Sequence, residues 1–306
     1  MKKTAFLFAA TLMLAACSKE EQSDPSVIRL SANVSGGIAT TRTVGTAAEL
    51  QNAQFVSGAS IHVEAYETGQ STSYSSGAYT TTDGNGTMSG SLNYPASGNN
   101  VDILAYYPNS INSSSNSFSV QANQTSLTNY RGSDLMYADK LSNLDKTSTN
   151  PHALTFHHVM AKIIVNISPD ATAGITAQDI TDNISAVTIK NTILTANLVP
   201  NTNNGQIAVT AASGTTSDIA ILGTGGAASH GLIVPQVLTA NTEFISVTYN
   251  GTTHTYALPA NKTFTGGQSY IYNFTISAAG IRLVSTEITD WQDPDSGNSG
   301  SATFII

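Results

Sequence analysis

The fold of this chain is decided by its longest strand-like stretch, Thr155-Phe156-His157-His158-Val159-Met160-Ala161-Lys162-Ile163-Ile164-Val165-Asn166-Ile167. β-Branched and aromatic residues are frequent in it, and such residues favour strands. Its apolar positions do not repeat with a period near 3.6, so a strand is indicated rather than a helix. Pro169 follows, and proline ends a central strand because it has no N–H to donate to the ladder. The stretch predicts one long buried strand in the middle of the chain.

Similar strand patterns flank this stretch. Alternation places Ile28, Leu30, Ala32 and Val34 on one face of a first strand. Further strands are predicted at 61–66, 101–107, 117–120, 184–189, 231–234, 243–249, 253–258 and 269–276, with an Asn-Gly hairpin turn at 249–252. Only 136–144 and 176–183 have the pattern of short helices. An all-β fold is therefore predicted.

A domain boundary is predicted directly after the longest strand. Pro169-Asp170-Ala171-Thr172-Ala173-Gly174 is rich in turn-forming residues and lies near the middle of the chain. It separates an N-terminal domain, 43–168, from a C-terminal domain, 169–306. Each then has roughly the size of a single β-sandwich, about 100 residues or somewhat more.

The N-terminus has the pattern of a secretory signal. Lys2-Lys3 precede an apolar run from Ala5 to Met13, which is too short to span a bilayer of about 30 Å as a helix. Leu14-Ala15-Ala16-Cys17 resembles a bacterial lipobox, in which the cysteine is acylated and becomes the first mature residue. We therefore expect a signal peptide at 1–16 and a lipid, such as palmitate, on Cys17. The alternative is an ordinary signal peptide with an incidental cysteine.

The four residues after Cys17, Ser18-Lys19-Glu20-Glu21, resemble a signal that exports lipoproteins of Bacteroidetes-type bacteria to the cell surface. The alternative is a tether that is polar only because it is solvated. Neither reading involves a membrane-spanning helix.

Composition excludes several classes of function. The chain has 12 Lys and Arg against 20 Asp and Glu, a formal net charge of −8. Removal of Lys2 and Lys3 with the signal peptide leaves a formal net charge of −10. Without a basic cluster, an acidic protein has no electrostatic footprint for nucleic acid. Because there is one cysteine, no intramolecular disulfide can form.

No constellation of catalytic or metal-binding residues is evident. His157 and His158 point to opposite faces of a strand, so they cannot ligate one metal together. The sequence contains no His-Glu-x-x-His and no Gly-x-Ser-x-Gly. We therefore expect no catalytic residue, no metal, no cofactor and no enzymatic activity.

Several motifs together resemble a known family. In order, they are Thr41-Arg42-Thr43, Asp134-Leu135-Met136, Phe156-His157-His158-x-x-Ala161-Lys162-Ile163, Gly267-Gln268-Ser269-Tyr270-x-Tyr272-Asn273-Phe274 and Ile288-Thr289-Asp290-Trp291. Their order and spacing resemble the fimbrillin family of Bacteroidales, the subunits of type V pili. The resemblance implies two tandem transthyretin-like β-sandwiches and assembly by strand exchange.

The resemblance also implies how the N-terminus is processed. A trypsin-like protease cuts the lipidated precursor after a loop arginine, and residues 17–42, the lipidated tether with the removable first strand, are discarded. Arg42 follows Gly36-Gly37 and is the expected site. Arg29 lies within the first strand and should be poorly accessible. The alternative is that Arg42 is only a solvated loop residue.

The resemblance further implies a C-terminal donor strand that fills the opened groove of another subunit. Ala302, Phe304 and Ile306 fall on one face of 301–306, behind a polar spacer at 292–300. Six residues extend only about 20 Å, so the donor is short or begins earlier. The alternative is a final strand that pairs within its own domain.

These observations predict a structural subunit of a surface pilus, or fimbria, used in cell adhesion. The expected partners are other pilin subunits, a trypsin-like processing protease, and the outer membrane through the lipid before cleavage. The precursor would be an outer-membrane lipoprotein exported to the surface, and the mature form would lie in extracellular fimbriae. The alternatives are a monomeric glycan-binding surface lipoprotein and, less favoured, a secreted hydrolase. The apolar end at 301–306 favours the pilus.

Overall fold

The computed structural model describes residues 26–35, 55–148, 150–170, 172–223, 228–277 and 280–291, together with the backbone of 304–305. The predicted all-β class is confirmed, because these residues form 22 strands and only two short helices. The elements of the first half are β1 (Leu30–Val34), β2 (Ser60–Glu67), β3 (Ser75–Thr81), β4 (Met88–Ser89), β5 (Val101–Tyr107), β6 (Ser117–Ser119), α1 (Leu127–Gly132), β7 (Met136–Ala138), β8 (Leu141–Leu144) and β9 (His152–His158).

The elements of the second half are β10 (Ala161–Pro169), α2 (Ala177–Asn183), β11 (Ile184–Thr192), β12 (Thr195–Pro200), β13 (Ile207–Ala211), β14 (Ser217–Ala220), β15 (Ser229–Ile233), β16 (Gln236–Leu238), β17 (Glu243–Tyr249), β18 (Thr252–Ala257), β19 (Lys262–Phe264), β20 (Gln268–Ser277), β21 (Gly280–Asp290) and β22 (Phe304–Ile305).

One eight-stranded sheet forms the first half. Its order is β1-β9-β7-β5-β2-β3-β4, and β8 pairs with β5 off this path. β1 runs parallel to β9, whereas the other neighbours are antiparallel. The sheet wraps a core that includes Phe55, Ile61, Val63, Ile103 and Phe156, all of them less than 2 % exposed.

The second half is built from several smaller sheets that share one core. The two largest have the orders β15-β10-β20-β21-β22 and β14-β11-β17-β18. Side chains from both sheets meet in that core, among them Ile163 of β10, Ile189 of β11, Phe244 of β17 and Phe274 of β20. β12 pairs with β13 and also with β6 of the first half.

Strand β5 connects the two cores. All seven of its residues are buried. Ile103 and Ala105 belong to the core of the first half, whereas Leu104 and Tyr106 belong to the core of the second. This follows from the period of two along a strand, which presents alternate side chains to opposite faces. The apolar run from Ile103 to Tyr107 therefore marks the strand that is covered on both sides.

The single strand predicted over 155–167 is wrong. It is two strands, because β9 pairs within the sheet of the first half while β10 pairs with β15 and β20. At the break, the Val159 N–H donates to the Leu135 carbonyl and the Met160 carbonyl accepts from the Gly267 N–H. The apolar pattern continues through the break, and no Gly or Pro lies there. The sequence therefore does not reveal that the strand ends.

The chain passes from the sheet of the first half to a sheet of the second half between β9 and β10, ahead of the predicted domain boundary. Pro169 does not end the pairing of β10, since it is in register with Ile276 of β20. We therefore propose that the boundary lies at Val159-Met160, before the predicted position.

The two predicted helices have different outcomes. Residues 176–183 are helical as predicted, with Thr176 as the N-cap and a capping box to Asp179. Residues 136–144 are wrong as a helix, because they form β7 and β8, which pair with β5 and β9. Tertiary pairing overrides local preference in this segment. The helix α1, capped by Ser126, was not predicted.

The predicted Asn-Gly turn is confirmed between β17 and β18. Asn250 and Gly251 have φ values of 48° and 75°, the positive angles that a type I′ hairpin requires. No helix among the described residues has both the length and the apolar character to cross a membrane.

Candidate functional site

Strand β1 joins the two ends of the first sheet. On one side it is in parallel register with β9, from Leu30 opposite His152 to Val34 opposite Phe156. On the other side, the Ile28 N–H donates to the Leu92 carbonyl and the Ala32 N–H donates to the Gly86 carbonyl, both at 2.8 Å. β1 therefore has hydrogen-bonded neighbours along both edges, and without it the sheet would be open.

The predicted inward face of β1 lies in the core. Ile28, Leu30, Ala32 and Val34 are each no more than 2 % exposed. Burial of an aliphatic side chain of this size contributes about 1.5–3 kcal/mol. Burial and hydrogen bonds thus hold the first strand firmly in the sheet.

Two residues outside β1 fit closely against its backbone. The Tyr79 hydroxyl donates to the Ile28 carbonyl at 2.6 Å. Gly86 has a φ of +85°, and a Cβ there would lie 2.2 Å from the Ala32 carbonyl oxygen. Only glycine tolerates both that angle and that approach. The slot between β9 and residues 86–94, which β1 occupies, is therefore shaped to hold a strand backbone at this distance.

Of the residues considered for processing, Arg29 lies in the described part of the chain. Arg29 is half-buried between the buried Ile28 and Leu30, and its carbonyl accepts from the His152 N–H at 2.9 Å. Its backbone is therefore engaged in the sheet. Cys17 and Arg42 lie outside the described residues.

The C-terminal strand occupies a different position. β22 adds to the free edge of β21 in antiparallel register, with Phe304 opposite Thr286 and Ile305 opposite Ser285. Ala302 and Ile306 lie outside the described residues, and for Phe304 only the backbone is described. The last strand therefore pairs through its backbone with the second half of its own chain.

The motifs that carry the family resemblance converge where the two halves meet. The rings of His158 and Trp291 are stacked, with centroids 3.8 Å apart and planes at 9°. His158 Nδ1 lies 2.9 Å from the Asp134 carboxylate, and both side chains are almost fully buried. The Lys162 ammonium lies 5.5 Å from the centre of the Trp291 ring. Three motifs distant in sequence thus form one buried cluster.

The backbone reinforces this junction. The Gly267 N–H donates to the Met160 carbonyl and the Trp291 N–H donates to the Gly267 carbonyl, both at 2.9 Å. Gly266 permits the contact, because a Cβ there would lie 2.1 Å from the Val159 carbonyl oxygen. The residues between β9 and β10 are therefore fixed to the end of β21.

Two buried groups have displaced pKa values. Burial raises the pKa of Glu64, but hydrogen bonds from His62, Tyr66 and Ser113 outweigh burial and lower the pKa to about 2. Burial lowers the pKa of His230 to about 4, and the nearby Lys162 charge acts in the same direction. Glu64 is therefore ionised and His230 neutral at neutral pH.

The histidine pair is divided between two environments, as predicted. The His157 ring faces Asp139 at 2.9 Å and stacks on Tyr137, whereas His158 lies in the buried junction. Among the described residues no three His, Cys, Asp or Glu side chains are grouped as metal ligands would be. These histidines pair with carboxylates in the structure.

The sequence-predicted residues are thus only partly brought together. The four apolar residues of the first strand lie together in the core of the first half, and the C-terminal strand lies on a sheet of the other half. The sequence did not reveal that 86–94 forms the second wall of the slot. The signal in the sequence is the pair Gly86 and Gly90, where a Cβ would lie 2.2 Å from the Ala32 carbonyl oxygen and 2.5 Å from the Tyr79 ring.

The family model described as fimbrillin-like matches residues 41–291 of the chain. A protein named as a fimbrium subunit, Fim1C of Bacteroides uniformis, is 28 % identical over 243 residues, which cover 74 % of this chain and 71 % of that protein.

Solved structures agree with the fold. A crystal structure described as a cell adhesion protein, from Bacteroides uniformis, has a TM-score of 0.64 and 26 % identity, covering 88 % of this chain and all of that one. The tip fimbrial protein Mfa3 from Porphyromonas gingivalis, at 12 % identity, has a TM-score of 0.51 and covers 86 % of this chain and 99 % of its own, which shows the fold alone. With the model matching most of its length, the chain belongs to the fimbrillin-like family.

Proposed function

We propose that this chain is a fimbrial subunit that polymerises by exchange of its first strand for the C-terminal strand of another copy or a related pilin. The family is one of fimbrial structural proteins and not of enzymes. The observation that carries the proposal is the position of β1, which is hydrogen-bonded on both edges and yet is followed by Arg42 in the same N-terminal segment.

Removal of β1 would open a slot with two prepared walls. One wall is β9, and the other is the 86–94 segment that accepts from Ile28 and Ala32. Both walls would then have unpaired backbone groups beside an uncovered apolar core. Such an edge binds an added strand through main-chain hydrogen bonds and pockets for alternate side chains.

Cleavage alone would not empty this slot. Ile28, Leu30 and Val34 each contribute about 1.5–3 kcal/mol by burial, so a severed β1 would still favour the bound state. Cleavage after Arg42 instead removes the covalent connection, after which an incoming strand can compete. The exchange is favourable when the donor buries as much apolar surface as β1 and forms as many hydrogen bonds.

The C-terminal segment is the proposed donor. Alternation in 301–306 gives Ala302, Phe304 and Ile306 the same period of two as Ile28 to Val34. Among the described residues, β22 pairs with β21 through two residues in the precursor. Its release would therefore break few hydrogen bonds.

The N-terminal sequence supplies the delivery step of the proposal. An acyl chain on Cys17 would attach the precursor to the outer membrane and present it at the cell surface, where a trypsin-like protease acts. The lipid leaves with β1, so the mature subunit begins at Thr43 and is held in an extracellular fimbria only by its neighbours. Adhesion is the proposed role of that fimbria, and the sequence predicts no enzymatic step.

Limited trypsin digestion of the purified precursor tests the assembly step. We expect a cut after Arg42, followed by oligomers that resist SDS and elute early from a sizing column. Arg42→Gln should remain monomeric. Lys146→Gln is the control, because Lys146 is an exposed basic residue in a turn and its loss should not affect oligomers.

A second arm tests the donor. Deletion of 301–306 should leave the cut at Arg42 intact and abolish the oligomers. Oligomers that persist without 301–306, or that form from Arg42→Gln after trypsin, would contradict strand exchange in this form.

A further inference from the structure

A cavity of about 460 Å³ opens beside the start of β2, the end of β5 and helix α1. Its lining includes Ser60, Tyr107, Asn109, Ser110, Thr128 and Arg131. It lies apart from the β1 slot walls and from the Trp291 junction described above. The volume is within the range of small-molecule sites.

Among the described residues, Arg131 is the only charged residue that lines this cavity. Its Nε is buried, and the guanidinium makes no hydrogen bond or ion pair with another described residue. A buried donor of a charged group that lacks a partner is costly. The described residues of the lining include no carboxylate, so an anionic ligand would supply the missing partner of this guanidinium.

Other described cations show the contrast. Lys140 and Lys190 lie 2.9 Å from the carboxylates of Asp102 and Asp218. In a chain with a formal net charge of −8, acidic partners are abundant. Arg131 nevertheless faces a cavity free of acids, which is the arrangement of a site that selects an anionic ligand.

The rest of the lining is rich in unused polar groups. The side chains of Ser60, Asn109, Ser110 and Thr128 form no hydrogen bond with another described residue. Together they offer three hydroxyls and one amide around the guanidinium. Tyr107 and Pro108 supply a flatter, more apolar wall.

We propose that this cavity binds an acidic sugar, a sialic or uronic acid, with its carboxylate on Arg131. A guanidinium binds a carboxylate in a bidentate manner. The surrounding hydroxyls and amide match the hydroxyl groups of a sugar ring. The binding does not depend on strand exchange, because every residue used lies outside β1 and the C-terminal strand.

Calorimetric titration of the full-length, uncleaved chain with N-acetylneuraminic acid, galacturonic acid and neutral galactose tests the proposal. We expect an acidic sugar to bind and galactose to bind at least about tenfold more weakly, as expected when a charged partner goes unmatched. Arg131→Gln should weaken acidic-sugar binding by about tenfold or more, and Arg131→Lys by less, since lysine retains charge but not the fork. Arg282→Gln, on the exposed face of β21, is the control and should change nothing.

Two further arms separate a sugar site from a simple anion site. Acetate and inorganic phosphate should bind more weakly than the acidic sugars. The double variant Asn109→Ala, Ser110→Ala keeps Arg131 and should weaken the acidic sugar severalfold while leaving acetate unchanged. Equal binding of galactose, unaltered binding in Arg131→Gln, acetate as tight as the sugar, or no binding at all would overturn the proposal. Because the uncleaved monomer is used, none of these outcomes bears on polymerisation.

Discussion

The two terminal strands of this chain occupy opposite kinds of position. β1 has hydrogen-bonded neighbours on both edges and four core residues on its inner face. β22 lies at the edge of a five-stranded sheet and pairs with β21 through two residues. The same kind of element is therefore integral to the fold at one end of the chain and peripheral at the other.

This difference shows that the position of a strand determines how it can dissociate from its sheet. A strand at an edge leaves readily, because little is lost. A strand in the middle of a sheet leaves only when another replaces it, because its slot cannot collapse around a close-packed core. The comparison predicts that changes at β1 affect the stability of the precursor strongly and that changes at β22 hardly affect it.

The largest effect is expected at the centre of β1. Leu30→Ala should lower the free energy of unfolding of the precursor by about 2–5 kcal/mol, because it removes a fully buried side chain and leaves a cavity. Urea denaturation measures this. Asn33→Ala is the control on the same strand, since Asn33 is exposed and should cost less than about 0.5 kcal/mol. Equal effects of the two would show that β1 is not packed as described.

Acidification should distinguish the two halves. The pKa of His230, in the second half, falls from its ordinary 6.5 to about 4 on folding, so below pH 6.5 the unfolded chain binds a proton that the folded chain does not. Stability in the second half should therefore decrease by about 1–3 kcal/mol between pH 6.5 and 4. His230→Gln should remove this loss in thermal melts.

The first half should respond at lower pH. Glu64 has a pKa of about 2 in the fold against an ordinary 4.5, so its stabilising contribution is complete above pH 4.5 and is lost toward pH 2. With allowance for solvent screening, the loss is about 1–2 kcal/mol. In Glu64→Gln, the melting temperature should decrease less between pH 4.5 and 2 than in the unaltered chain. A change in the pH dependence of stability between pH 6.5 and about 5 in Glu64→Gln would contradict this assignment, since that range lies above the ordinary pKa of 4.5.

A smaller effect is expected where Gly86 approaches β1. Gly86→Ala should cost about 1–2 kcal/mol more than Gly69→Ala, measured by urea denaturation. Both glycines have φ near +84°, but only at Gly86 would a Cβ meet the Ala32 backbone, while Gly69 faces open space. The excess should vanish in a chain lacking β1. Equal costs in the intact precursor would mean that 86–94 is not a rigid wall.

The smallest effect is expected at the C-terminus. Deletion of 304–306 should lower the stability of the precursor by less than about 1 kcal/mol, because the described residues of β22 add a two-residue pairing at a sheet edge. Urea denaturation of the deleted and intact chains measures the difference. A loss as large as that of Leu30→Ala would show that β22 is integral to the second half.

Much of the all-β fold could be predicted from local patterns. The run from Val101 to Tyr107 matches β5 at both ends, and the cap at Thr176 correctly begins a helix. These features depend on neighbours in sequence. The period of two along 28–34 likewise identified the buried face of the first strand.

The rest depends on contacts between distant segments, which a local pattern does not encode. The break between β9 and β10 arises because Leu135 and Gly267 capture the backbone at Val159 and Met160. The slot around β1 needs Gly86, and the cavity of Arg131 needs α1 beside β5. Nothing near these residues in sequence indicates which partner they meet.

The stack of Trp291 on His158 has a consequence for measurement. The chain contains one tryptophan, and it is buried at the junction, immediately before the C-terminal extension. Tryptophan fluorescence, excited selectively so that the 12 tyrosines contribute little, therefore reports a single contact between the two halves. Fimbrillin-like chains with this residue contain their own optical probe, which can follow the junction during assembly without any label.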